Sequence, residues 1–280
     1  MSLPIIAPVK PPSVLWKLRA RGLEEARQAL KRGTPDGLHD LRVALRRLAA
    51  TSAALGRKRL ARRAKAFARS LSRPRGLEVD RRLLERIGRL GLLSPDAVTA
   101  LAARWEKLAG RSARRIARAT DGKKMQRLRR RLDALSRKRS GRGLKRLGKA
   151  RRNAEQTLSR SLEGRDDRAF HRYRAAVKRA RYLSEDLAAV GLPETPEEAA
   201  RERALQESLG RWNDLRGFRR RLAESRDDAE RRGTVVLAGE IERLLAALEP
   251  ALDSARTAAV AASRRSARVV PMRPAARAQA

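Results

Sequence analysis

Cysteine is absent and histidine occurs only twice in 280 residues. Without thiols there is no disulfide, iron–sulfur cluster, thiolate zinc site or cysteine nucleophile. Two imidazoles are too few for a His-rich metal centre, so neither metal nor cofactor is expected. Aromatic residues make up 3%, too few for a platform that stacks single-stranded bases. No run of about 18 apolar residues occurs, so no membrane insertion is expected. Met1 to Pro12 lacks the charged start and long apolar stretch of a signal peptide, which makes the cytoplasm the expected compartment. Val-rich alternating runs, the mark of strands, are missing too. No nucleophile stands beside an oriented base in the sequence, and the chain is not expected to be an enzyme.

What is present is positive charge. Lys and Arg number 69 against 31 Asp and Glu, a formal net charge of +38. Such a charge repels itself in the folded state and attracts polyanions: nucleic acid, a membrane surface or a phosphate polymer. Most of the cations are Arg, whose planar fork suits bidentate contact with phosphate oxygens. Apolar residues reach 41%, enough for a packed core.

Ala, Leu, Arg and Glu dominate, which predicts an all-α fold. Met1 to Pro12 carries four prolines and reads as a disordered lead. Helices are expected over about 13–32, with Ser13 as N-cap, and over 38–55, 58–71, 77–90 and 95–119. Those in the rest of the chain are expected over about 124–139, 144–162, 167–190, 196–209, 214–232 and 235–263. Gly33 to Gly37, Gly56, Pro74 with Gly76, and Asp121-Gly122 supply the breaks. Ser94-Pro95 and Thr195-Pro196 read as a cap followed by a first-turn proline. The expected organisation is a helical region over 13–262, in halves of about 13–122 and 123–262, then a disordered basic tail over 263–280.

The two histidines sit in matching segments. Leu38-His39-Asp40-Leu41-Arg42-Val43-Ala44-Leu45-Arg46-Arg47-Leu48 aligns with Phe170-His171-Arg172-Tyr173-Arg174-Ala175-Ala176-Val177-Lys178-Arg179-Ala180. At about 100° per residue, His39, Arg42 and Arg46 share one helix face, as do His171, Arg174 and Lys178, with Arg181 extending the second stripe. Leu41, Leu45 and Leu48 fall opposite, and so do Tyr173, Val177 and Ala180. Each segment is an amphipathic helix with a basic second face. No acid is evident at the spacings that would relieve either stripe, and like charges there cost a few tenths of a kcal/mol per pair. Arg47 and Arg179 complete the candidate set for binding a phosphate polymer. A further stripe, Lys58, Arg62, Lys65 and Arg69, runs opposite Leu60, Ala64, Phe67 and Leu71. With Arg75 and Tyr182 it forms a group of additional candidates. Its counterpart near 196–209 is acidic. Trp16, Trp105 and Trp212 are expected to pack helices.

These segments resemble the two motifs of the CHAD family of histidine-bearing helical domains. Leu209-Gly210-Arg211-Trp212-Asn213-Asp214-Leu215 is similar to the segment that follows the family's second motif. Leu71 to Val79 resembles its partner more loosely, with Gly76 where Asp is usual. The resemblance spans roughly residues 13 to 262. It implies two helical bundles related by a pseudo-twofold, with the basic faces of both motif helices lining a shared central groove or pore. It also implies binding of inorganic polyphosphate and association with polyphosphate granules. From the residues alone, non-specific nucleic-acid binding remains the alternative, and the oligomeric state is not legible.

Overall fold

The computed structural model describes residues 11–34, 36–137, 143–161, 167–192 and 196–268. Among them are ten α-helices and no strand. They are α1 (Ser13–Lys31), α2 (Gly37–Ala54), α3 (Lys58–Ser70), α4 (Ser72–Arg89), α5 (Pro95–Asp121), α6 (Lys123–Ser136), α7 (Gly143–Ser161), α8 (Asp167–Ala189), α9 (Pro196–Arg231) and α10 (Val235–Arg268). The chain is all-α, as its composition dictates.

Local chemistry sets most of the boundaries. Gly56 ends the α2 turn at φ 76°, a left-handed conformation that costs a glycine little, while Arg57 N–H closes back on the Ser52 carbonyl at 2.7 Å. Gly37 opens α2 against α1. A Cβ there would lie 2.6 Å from Leu30 Cα, so only glycine allows the approach. Ser94 caps α5 by accepting from Ala97 N–H at 3.2 Å, with Pro95 in the first turn.

Four boundaries differ from expectation. Pro12 rather than Ser13 occupies the cap position of α1, and Ser13 is the first helical residue. α4 begins at Ser72, so Pro74 lies in its first turn, where the backbone N–H has no intrahelical partner to lose. The pair of helices expected over 196–232 is the single helix α9 of 36 residues. Gly210 costs about 1 kcal/mol in a helix interior, but buried Leu205, Leu209 and Trp212 flank it on one face and carry the helix through it. α10 continues past the expected limit at 263 to Arg268. The expected cap at Thr195 and the chain beyond 268 lie outside the described residues.

The chain forms two compact units. One comprises residues 1–155 and 178–194, the other 156–177 and 195–280. This partition differs from the halves suggested by the repeat, for two reasons. α6 packs on α1, α3 and α5, which draws it into the first unit. The end of α8 supplies Asp186, whose buried partner is Arg19 of α1.

In the first unit, α1 packs on α2 and α6, α2 on α3 and α4, and α4 on α5. Leu15, Leu23, Leu41, Leu45 and Leu48 are fully buried there, with Trp16 and Trp105 beside the core. In the second unit, α9 and α10 form a hairpin through Gly233. Its core joins Tyr173 and Val177 of α8 to Leu205, Leu209, Ala259 and Ala262. Burial pushes the Tyr173 hydroxyl above its usual range, against a hydrogen bond with Ser263 that lowers it.

Candidate functional site

The apolar faces expected of the motif helices are the faces they bury. Leu41, Leu45 and Leu48 are sealed in the first unit, and Tyr173, Val177 and Ala180 are likewise buried. That packing fixes the rotation of each helix and sets its cations outward. On α2, His39 is exposed, while Arg42, Arg46 and Arg47 are half-buried. On α8, Arg174 and Lys178 are half-buried and Arg179 is exposed. The side chains of His171 and Arg75 lie outside the described residues.

The first unit brings the edges of the two motifs together. Arg47 of the first motif donates to Glu185 through both arms of its fork, Nε to Oε2 at 2.7 Å and Nη2 to Oε1 at 3.0 Å. Arg181, which extends the second motif, pairs with the same carboxylate at 3.4 Å. Both guanidiniums lie over the Tyr182 ring, at 5.9 Å and 5.4 Å from its centroid. Partial burial lowers the Arg47 pKa, but the hydrogen bond and charge of Glu185 outweigh it, so the group is held above its usual value.

Two expectations change here. The second stripe does have an acid at the relieving spacing, because Glu185 stands one turn after Arg181. Tyr182, a candidate ligand contact from its place on the basic side, is 4% exposed and serves as the apolar platform under two guanidiniums.

A buried network lies directly behind. Arg19 on α1 pairs with Asp186, the next residue on α8, and both are buried. The Thr51 hydroxyl accepts from Arg19 Nε at 3.0 Å. It has one proton to share between Asp186 Oδ2 at 2.7 Å and the Arg47 carbonyl at 3.0 Å. Burial pushes Asp186 above the ordinary carboxylate range, against the pull of Arg19 and Thr51. The network ties α1, α2 and α8 together immediately beneath the Arg47–Glu185 pair. Sequence reasoning missed all four members of these pairs that are not on a motif stripe: Arg19, Thr51, Glu185 and Asp186. The available signal was a pair of adjacent acids closing an otherwise basic helix.

The α3 stripe is where its spacing puts it. Lys58, Arg62, Lys65 and Arg69 are exposed, as are Arg59 and Arg63, opposite buried Leu60, Ala64, Phe67 and Leu71. Among the described residues no carboxylate pairs with any of these six cations. Arg42 at the neighbouring helix reaches Ser72 Oγ at 3.4 Å, just beyond the end of α3. α6, which packs on α3, adds exposed Arg127, Arg130 and Arg131.

No three His, Cys, Asp or Glu side chains cluster to hold a metal among the described residues. None of the helices described is long and apolar enough to cross a membrane. Among the described residues the surface offers guanidinium forks, ammonium groups and the exposed imidazole of His39, all suited to oxyanions.

Solved structures share this fold. The crystal structure of the CHAD domain from the plant Ricinus communis superposes with a TM-score of 0.72 at 20% identity, over 97% of this chain and 96% of that one. PptA from Streptomyces chartreusis superposes with a TM-score of 0.70 at 16% identity, over 91% of this chain and all of that one. At such identities the likeness is one of fold. No curated protein matches the sequence. The CHAD domain profile matches residues 14–223, a span holding both histidine segments, and the chain belongs to the CHAD domain family.

Proposed function

We propose that this protein binds inorganic polyphosphate, without turning it over, through His39, Arg42, Arg46 and Arg47 of α2 and His171, Arg174, Lys178, Arg179 and Arg181 of α8. Lys58, Arg62, Lys65 and Arg69 on α3 widen the positive surface. The observation that carries the proposal is the convergence of Arg47 and Arg181 on Glu185, since Arg47 and that carboxylate stand 138 residues apart in sequence. Cations from both histidine segments already share one oxyanion, in the planar fork geometry that phosphate oxygens also accept.

Family membership points the same way, because polyphosphate binding is what resemblance to this family implies. The physical basis is counterion release and bidentate hydrogen bonding, so affinity falls as salt rises. A thin, flexible phosphate chain can follow helix-bound cations about 10 Å apart end to end, the length of one seven-residue stripe. A protein of this charge that prefers such a polymer would gather on polyphosphate granules.

The test is competition among long-chain polyphosphate, duplex DNA, RNA and heparin at about 0.15 M salt, where surface electrostatics are screened beyond about 8 Å. Polyphosphate is expected to displace the others. Duplex DNA or RNA binding as tightly would replace this function with general polyanion or nucleic-acid binding.

A further inference from the structure

We propose that Glu185 acts as a built-in competitor for a phosphate subsite formed by Arg47 and Arg181 over the Tyr182 ring, and so sets the smallest phosphate polymer the protein can hold. This inference rests on the polyphosphate-binding function proposed above.

Two guanidiniums on an aromatic floor form an oxyanion site whether or not a ligand is present. Here the site is filled by a side chain of the same molecule. Arg47 grips Glu185 with both arms, at 2.7 Å and 3.0 Å, and Arg181 meets the same carboxylate at 3.4 Å. None of the three charged side chains is sealed away: Arg47, Arg181 and Glu185 are 36%, 30% and 32% exposed. An incoming phosphate can therefore reach the cluster from solvent. The Glu185 side chain has rotatable bonds of its own and can swing aside, whereas the Arg47 and Arg181 guanidiniums both rest on the buried Tyr182 ring.

Displacing Glu185 costs the same for every ligand that uses this subsite. A long polymer meets that cost with contacts elsewhere. A short one has no such reserve. The carboxylate thus discriminates against short phosphates by occupying their place and repelling them. It also gives two half-buried guanidiniums one shared counter-charge in the unliganded protein.

The experiment compares Glu185→Gln with Glu106→Gln. Glu106 is an exposed residue on α5, and its replacement makes the same change in net charge away from the site. Binding of tripolyphosphate and of long-chain polyphosphate to each full-length variant is measured by calorimetry at fixed salt. Glu185→Gln is expected to bind tripolyphosphate about tenfold more tightly than Glu106→Gln does, as freeing a charge-assisted fork should allow. The gain for the long chain is expected to be smaller. Equal affinities in the two variants, or weaker binding by Glu185→Gln, would overturn the inference and make Glu185 a purely structural partner.

A second measurement uses the unsubstituted chain and decides the matter should Glu185→Gln fold poorly. The Arg47 and Arg181 side-chain Nε–H resonances are followed during titration with long-chain polyphosphate. Both are expected to shift as the carboxylate is exchanged for phosphate, and unmoved resonances at saturation would sink the subsite. Failure of the unsubstituted chain to bind the long polymer at all would strike the parent function. Binding with unmoved resonances or no gain in the variant strikes this inference alone.

Discussion

The α3 face and the α9–α10 hairpin are both rich in arginine, and they use it in opposite ways. Along the hairpin, Arg219 pairs with Glu249, Arg226 reaches Glu242 at 2.6 Å and also Asp227 and Glu230, and Arg232 meets Asp228 at 2.9 Å. On α3, six cations stand exposed with no carboxylate beside any of them among the described residues. A net charge of +38 is therefore not a uniform coat. Arginine in this protein divides into groups paired with a fixed carboxylate, which hold helices together, and groups that stand exposed without one among the described residues.

The largest departure should come from breaking the most buried neutralised pair. Arg19→Met is expected to lower unfolding free energy by about 3 kcal/mol in denaturant titrations, because it strands Asp186 as an uncompensated buried charge. A loss near zero would place Arg19 with the expendable arginines and blur the division.

The opposite face gives the next effect. Replacing Lys58, Arg62, Lys65 and Arg69 together by Gln removes four like-charge contacts at helical spacing, the one between Arg59 and Arg62 included, each unfavourable by a few tenths of a kcal/mol. The melting temperature is expected to rise, while long-chain polyphosphate binds about tenfold more weakly at physiological salt. A lower melting temperature with unchanged affinity would mean that α3 is structural after all.

The smallest effect is visible only in acid. Glu24 on α1 is held at about 2, mainly by a hydrogen bond from Arg27, against partial burial and with help from Gln28 and Arg129. Arg129 lies on α6, 3.2 Å away. A carboxylate pKa depressed in the fold stabilises the protein above its unfolded value, about 4.3. That contribution drains away as pH falls toward 2. Glu24→Gln should match the parent near pH 2 and fall below it from about pH 5 upward in thermal melts. Parallel curves would show that this paired arginine contributes nothing.

The sequence made the elements and faces legible and left the pairings hidden. Periodicity placed Leu41, Leu45 and Leu48 in the core and the α3 cations outside, because both follow from local helix geometry. It divided α9 at Gly210, since a helix-weakening residue was weighed without the packing of Leu205, Leu209 and Trp212 on either side of it. It could not see that Glu185 would meet Arg47, or Asp186 Arg19, since those partners lie 138 and 167 residues apart and only packing joins them. Of the candidate site, residue type and helical face were readable, whereas which arginines arrive already occupied was not.

The position of Asp186 late in the chain has a consequence for synthesis. When α1 leaves the ribosome, Arg19 lacks the carboxylate that it pairs with in the fold, which lies 167 residues further along the chain. The first unit therefore closes only after part of the second has been translated. A nascent chain stopped near residue 155 would hold its leading helices around an unanswered guanidinium, a state that a quality-control protease should recognise.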